Sequence, residues 1–312
     1  MLGQGVLVND GEARIFMVEE PVVAAADPFD PEGRTADLSW RRDLGPELPA
    51  VTDPLVAGPG LAAWARRFGR VVARHAAHLL PVMLLVALPT HFFVGRVDDT
   101  IVAAPALADL VGGFGLLLLP AMWLAYLAVS ALPLVLSLAG AAGVVLPAAA
   151  EGLRPRPGRV WALVSMRLRA LWLWFSGFGL LTGGLPLLLT EEQVGTAGGL
   201  VAIVFAIGST VALTFGGLLG CVVLVERGRG PRRAMHLLSH SRPAGLIVAA
   251  AAATVVPRMV DYAFGGLAAT VAGVLLVQLW AIAALVTYGQ ARRAVEPVTS
   301  RSLFAELGAP EE

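Results

Sequence analysis

The longest uninterrupted apolar runs decide what this chain can be. Residues 200–225 and 264–288 carry no charged side chain at all, and residues 101–150 carry only Asp109. A helix needs about 20 apolar residues to cross ~30 Å of hydrocarbon. Runs of this length cannot be strands of a soluble core, and too many of them exist for one buried helix. Charged residues make up 15% of the 312, against roughly 25% in a soluble domain, so the chain reads as an all-α polytopic membrane protein.

Six spans are expected, at 76–94, 122–146, 171–189, 200–225, 244–259 and 264–288. Their orientation follows from arginine. Arg66, Arg67, Arg70 and Arg74 precede the first span, and Arg154, Arg156, Arg159, Arg167 and Arg169 follow the long run. Arginine-rich loops stay in the cytoplasm, so an even number of crossings lies between these two clusters. Three crossings in 101–150 would need about 60 residues before any turns, so one crossing is expected there. Residues 101–119 then form an interfacial or re-entrant outer segment, broken at Pro120. Arg227, Arg229, Arg232, Arg233 and Arg242 lie between spans four and five, and Arg292 and Arg293 end span six. The opposite loops hold Arg96 and Arg258 with Asp98, Asp99, Glu191, Glu192 and Asp261. Six spans forming three helical hairpins, with both termini cytoplasmic in the inner (plasma) membrane, satisfy this pattern. The expected organisation is an acidic, mostly disordered tail at 1–60, a transmembrane domain at 61–293 and a short cytoplasmic tail at 294–312.

The tail holds eleven acidic residues against four arginines, with much proline and no sustained period. Only its start shows structure, an alternation around Asn9-Asp10-Gly11 that signals a β-hairpin. No basic region followed by an apolar one opens the chain, so no signal peptide is expected, and Met17 offers an alternative start.

Composition also excludes chemistry. All 23 basic residues are arginine, so lysine Schiff bases, lysine general bases and P-loop lysines are ruled out. One cysteine, Cys221, makes neither a disulfide nor a Cys-rich metal site and reads as a packing residue. Nucleophile elbows, HExxH helices and Walker loops do not occur, so no cofactor is expected and catalysis is disfavoured. Zero net charge gives no reason to expect a nucleic-acid partner. One acidic group, His91, Asp98 and Asp99 with Asp109 beyond, admits a divalent-cation site or an enzyme role, and equally reads as a solvated outer loop. Within the spans, Gln278, Ser209, Thr210 and Thr214 are the main polar groups. They are expected to hydrogen-bond between helices in preference to binding substrate. Gly179/Gly183 and Gly216/Gly220 have the spacing that lets helices approach closely, within the chain or in a homo- or hetero-oligomer.

The segment 225–242, VERGRGPRRAMHLLSHSR, carries five arginines and two histidines. With Pro231 as a first helical residue, Arg232, Arg233, His236, Ser239 and His240 share one arc and Ala234, Met235, Leu237 and Leu238 the other. Such a helix would lie on the inner leaflet, with Arg229, Arg232, Arg233 and Arg242 contacting anionic headgroups, or would simply rest there while its arginines set topology. A gapless alignment of 151–171 with 226–246 matches Glu151/Glu226, Arg154/Arg229, Leu163/Leu238, Arg167/Arg242 and Leu171/Leu246. Trp64 and Arg70 repeat the spacing of Trp161 and Arg167. Each outgoing helix is thus led in by a basic segment closing on an arginine.

The same segment resembles the cytoplasmic connector of actinobacterial polytopic proteins similar to the membrane domain of glycerophosphoryl diester phosphodiesterases. The shared features are an acid closing a span (Glu226), Gly230-Pro231, Ala234-Met235 and Ser239. His240 stands where that pattern has a Trp. The resemblance covers residues 60–295 in layout. It implies a multi-pass membrane protein without that family's hydrolase barrel, so its activity does not carry over. Three roles remain open: a structural or accessory envelope component that binds lipid or a partner, a permease-like or export component, and a membrane-embedded enzyme using the outer acids.

Overall fold

The computed structural model describes residues 4–9, 12–17, 53–56, 60–90, 115–152, 157–179, 198–226 and 229–308. They belong to two compact units, 1–51 and 52–312. In the first, β1 (Gln4–Asn9) pairs antiparallel with β2 (Glu12–Met17), with Asn9 opposite Glu12. Two residues are left to turn the chain, as the Asn-Asp-Gly signal predicts.

The second unit is helical throughout its described residues. Its elements are α1 (Leu61–Pro89), α2 (Gly115–Ser130), α3 (Leu132–Glu151), α4 (Pro157–Gly179), α5 (Gly198–Val225), α6 (Pro231–His240), α7 (Ala244–Phe264), α8 (Gly266–Val295) and α9 (Ser300–Gly308). Five of the described helices are long and apolar enough to cross a membrane: α1, the run Leu127–Glu151, Ile203–Val225 within α5, α7 and α8. The chain is therefore an all-α polytopic membrane protein. The expected span at 171–189 is described only to Gly179.

Among the described helices α1 packs on α3 and α7 on α8, as two of the expected hairpins require, whereas α4 packs on α3 as well as on α5. The α7–α8 joint is Gly265, at φ 90°, a left-handed conformation that a side chain would strain. Its N–H donates to Asp261 O at 2.9 Å and closes α7 as α8 begins. The inner layer is made by α3, α5 and α8. Trp280 is fully buried there, meets Phe175 edge-on at 6.1 Å and donates its indole N–H to Leu213 O. Gly220 lets α5 approach α3 and α4, since a Cβ there would lie 3.0 Å from Phe175 and closer still to Leu138. This glycine serves packing within the chain. Outward, Leu84, Leu88, Ile203, Ile207, Val211, Val248, Met259 and Val271 are exposed, an apolar belt suited to lipid.

Three expectations change. The helix is continuous through Pro120, and the only interruption among 115–151 is a one-residue irregularity at Ala131, which keeps helical dihedrals. Pro133 explains the shift: lacking an N–H, it sits in the first turn of α3, where that donor would be unused. The packed unit also begins before residue 61, because Leu55 and Val56 are buried in the common core. Finally, residues 294–312 are more than a tail. Helix α9 buries Leu303 and Leu307 and packs on α3 and α5. Thr299 and Ser302 cap it reciprocally, each backbone N–H meeting the other's hydroxyl at 3.1–3.2 Å.

Candidate functional site

Apart from Arg258 and Asp261 in the last turns of α7, most charged residues of the described bundle gather at one end, where α1 begins, α3 ends and the α5–α6–α7 connection lies. At about 1.5 Å per residue α1 is roughly 43 Å long, well beyond a ~30 Å hydrocarbon core. Its first turns, holding Arg66, Arg67, Arg70 and Arg74, therefore extend past the apolar layer. The same holds for the end of α8 with Arg292 and Arg293.

Helix α6 starts at Pro231 as its sequence demands. Ala234 and Leu237 are buried, Leu238 is half-buried, and Arg232, His236, Ser239 and His240 are exposed. Met235, on the predicted apolar arc, is exposed. Arg233 turns inward. Its Nε donates to Glu226 Oε2 at 2.8 Å and its Nη2 to Glu296 Oε1 at 2.5 Å.

Glu226 is the hub of this arrangement, its side chain only 3% exposed. Oε2 also accepts from Arg229 Nη1 at 3.1 Å, and Oε1 accepts from the Tyr288 hydroxyl at 3.0 Å. Arg292 stands behind Tyr288. It donates Nη1 and Nη2 to the two oxygens of Glu306 at 2.6 and 3.1 Å, and Nε to Glu296. Glu226, Glu296 and Glu306 thus face Arg229, Arg233 and Arg292. The charges cancel, and the pairs join the ends of α5 and α8 to α6 and α9. Burial raises the affinity of Glu296 for a proton, but the hydrogen bond from Arg292 and the charges of Arg292 and Arg233 outweigh it and hold the carboxyl below its usual range. This is a clamp: the buried Glu226 and Arg292 are each supplied with partners, while Arg229, Glu296 and Glu306 remain partly exposed.

A second clamp ties the two edges of the unit. Asp53 Oδ1 accepts the N–H groups of Leu55 and Val56 at 2.9 and 2.8 Å and the Ser300 hydroxyl. Its Oδ2 accepts the Ser300 N–H at 2.7 Å, so Asp53 also serves the N-terminus of α9. Burial alone would raise its pKa, yet the hydrogen bonds from Ser300, Val56 and Leu55 win and lower it.

Other arginines at this end are not neutralised. Arg232, Arg242 and Arg293 are exposed and make no ion pair with a described residue. Arg242 and Arg293, with His240, Ser241, Gln290 and Gly60, line an open cavity of about 510 Å³. On the other side of α1, a cavity of about 520 Å³ is lined by Arg67, Arg70, Arg74 and His75 together with Pro54 and α3. A third, of about 370 Å³, follows along α1 and α3 and is apolar, with Ala77, Pro81, Leu85, Leu136, Val144 and Trp161 in its wall.

The sequence-predicted lipid contacts therefore divide. Arg229 is exposed but paired with Glu226, Arg233 is drawn into the clamp, and Arg232 and Arg242 face outward. The repeat positions also differ in environment. Glu226 is buried and Glu151 exposed. Arg167 is buried and donates to Val223 O and Leu224 O at the end of α5, whereas Arg70 and Arg242 are exposed. Trp64 is buried on Gly245, where a Cβ would lie 2.5 Å from the ring, and bonds Thr287 Oγ1 at 2.9 Å; Trp161 is exposed. Inside the spans, Thr210 and Thr214 bond carbonyls of their own helix, and buried Gln278 and Ser209 have no partner among the described residues. The expected hydrogen bonds between helices are not formed there. Among the described residues no group of three His, Cys, Asp or Glu could hold a metal ion. His91, Asp98, Asp99 and Asp109 lie outside the described residues, as does Gly183.

The clamp had a legible signal in one spacing, Arg292–Glu296, at a helical pairing interval, whereas Glu226 and Arg233 lie on either side of the α5–α6 connection. What the sequence concealed was the partner: nothing in the spacing brings Glu226 to Tyr288 and Arg292. Comparison with known protein families, curated proteins and solved structures gives no match.

Proposed function

We propose that this chain is an accessory component of an actinobacterial inner (plasma) membrane, with both termini cytoplasmic, that binds anionic lipid headgroups at its basic end and has no catalysis of its own. One observation carries the reading: the arginines sort into two sets. Those of the clamp are matched by acids, whereas exposed Arg232, Arg242 and Arg293 have no ion pair among the described residues, and two of them share an open cavity beside α6. Each unmatched arginine at an anionic leaflet is worth about 1 kcal/mol. The residues that carry the resemblance to the phosphodiesterase membrane domain support the same reading, because Glu226 and Gly230-Pro231 build the junction that aims α6.

Two experiments test it. A photoreactive anionic phospholipid should label α6 in the wild-type chain and label it much less when Arg232 and Arg242 are glutamine. Unchanged labelling overturns headgroup docking. A periplasm-dependent phosphatase fused after Glu312 should be inactive, and an active fusion would reverse the orientation.

A further inference from the structure

The least satisfied charge in the described bundle is on α1. Arg67 and His75 are each 6% exposed, and Arg67 Nε and His75 Nδ1 have no hydrogen-bond partner. The remaining Arg67 nitrogens donate only to carbonyls, Pro54 O at 3.2 Å and Val56 O at 3.5 Å. Arg70 and Arg74 stand at i+3 and i+7 on the same face, exposed and without an ion pair to a described residue. Asp53 and Arg293 are the other charges that Arg67 feels. The charge of Asp53 favours that of Arg67, but Asp53 makes no ion pair with it among the described residues, its oxygens being taken by Ser300 and by backbone N–H groups. This buried guanidinium, with Arg70 and Arg74 beside it, opens on a cavity of about 520 Å³, and such a group is stabilised by an anionic hydrogen-bond acceptor.

The neighbouring cavity says which anion. Following α1 from Arg67, the positions Arg70 and Arg74 give way to His78, Pro81, Val82 and Leu85 on one helical stripe. The last four line the apolar cavity of about 370 Å³, with Ala139, Gly140 and Val144 of α3 opposite. From Ala77 to Leu85 this apolar lining advances about 12 Å along the helix. Charge is thus placed at the depth of headgroups and an apolar recess just beyond it, on the same pair of helices.

We propose that the α1–α3 face holds an anionic phospholipid, its phosphate against Arg67, Arg70 and Arg74 and one acyl chain in the recess lined by Ala77, Pro81, Leu85 and Val144. This deepens the lipid-binding reading but uses different residues, so the two can fail separately. A zwitterionic lipid fits less well, because its quaternary ammonium would meet the same three arginines.

The test is native mass spectrometry of the full chain in mild detergent, supplied with phosphatidylglycerol or phosphatidylcholine. The wild type should retain phosphatidylglycerol and not phosphatidylcholine. Arg70→Gln/Arg74→Gln should weaken retention about tenfold, the effect of one lost charge-assisted contact. Both side chains are exposed, so the variant should fold, and intact helix content by circular dichroism checks this. Ala77→Phe, which fills the recess, should weaken retention similarly. Equal retention of the two lipids, or retention indifferent to Arg70→Gln/Arg74→Gln, overturns the site. Displacement by millimolar inorganic phosphate, with Ala77→Phe silent, would mean a soluble phosphate ester and equally overturns it. Arg232→Gln/Arg242→Gln should leave this lipid in place. If retention follows that pair instead, the α6 reading stands and the α1 site falls. If α6 labelling is lost as a signal while the α1 lipid persists, the reverse holds.

Discussion

Arg292 and Arg67 stand at the same end of the bundle, equally buried, yet their surroundings are opposite. Arg292 meets Glu306 through both terminal nitrogens and Glu296 through Nε. Arg67 donates to two carbonyl oxygens, and its Nε has no partner among the described residues. Residue type and depth do not separate them; the supply of acids does. A buried cation with its acids is a structural joint, since removing either partner strands the other. A buried cation without them is an invitation to an anion from outside. The arginines of a membrane protein's cytoplasmic end are commonly read together as topology signals. Here the arginines of one end divide between two environments.

The largest effect should come from breaking the satisfied side. Glu226→Gln leaves Arg233 and Tyr288 facing an uncharged amide and should cost about 3–5 kcal/mol, the penalty for removing one member of a buried pair. It would show as a lowered unfolding temperature in detergent. A change within error would mean that the clamp carries no stability and that the contrast with Arg67 is only geometric.

Asp53 should matter less. Asp53→Asn removes a charge-assisted acceptor from Ser300 and should cost about 1–2 kcal/mol near neutral pH. The sign of its pH dependence follows from a pKa lower in the folded chain than in the unfolded one. The contribution is complete above the unfolded value of about 4 and disappears as pH falls through the folded one. Acid titration of the wild type should therefore show a stability loss confined to strongly acidic pH, and Asp53→Asn should lack that component. Equal pH profiles would remove the charged hydrogen bond from the link between 53–56 and α9.

Smallest should be the exposed arginines. Arg70→Gln/Arg74→Gln and Arg232→Gln/Arg242→Gln should each shift lipid-free stability by no more than about 0.5 kcal/mol, as surface changes do. A larger loss at Arg70 and Arg74 would place them in the folded framework and blur the contrast with the clamp.

Much of the framework could be read from the residues. Apolar run length found five of the six expected spans among the described residues, Pro231 began its helix, and Asn-Asp-Gly marked the hairpin, because each signal is local. Fully buried contacts were less accessible. Glu226 reads as an acid ending a span, and only the fold brings Tyr288 and Arg292 to it, 62 and 66 residues away in sequence. Helix α9 was concealed for a similar reason. Its Leu303 and Leu307 spacing is short, and the partner that caps it, Asp53, lies 247 residues earlier. Arg233 shows the limit of a helical wheel: it assigned the right arc but could not see that Glu296 would fold back onto it. The proposed α1 site depends on two facts no pattern holds, that Arg67 is buried and that among the described residues no acid pairs with it directly.

The division between matched and unmatched arginines is tested most directly by lipid-dependent stability. Adding phosphatidylglycerol to the detergent-purified chain should raise the unfolding temperature of the wild type, because a ligand that binds only the folded state stabilises it. Arg70→Gln/Arg74→Gln should begin from nearly the same lipid-free temperature and lose most of that rise, while phosphatidylcholine should do little for either. A rise of equal size in the variant, or from both lipids, would contradict the claim that the unmatched arginines of α1 await an anionic lipid.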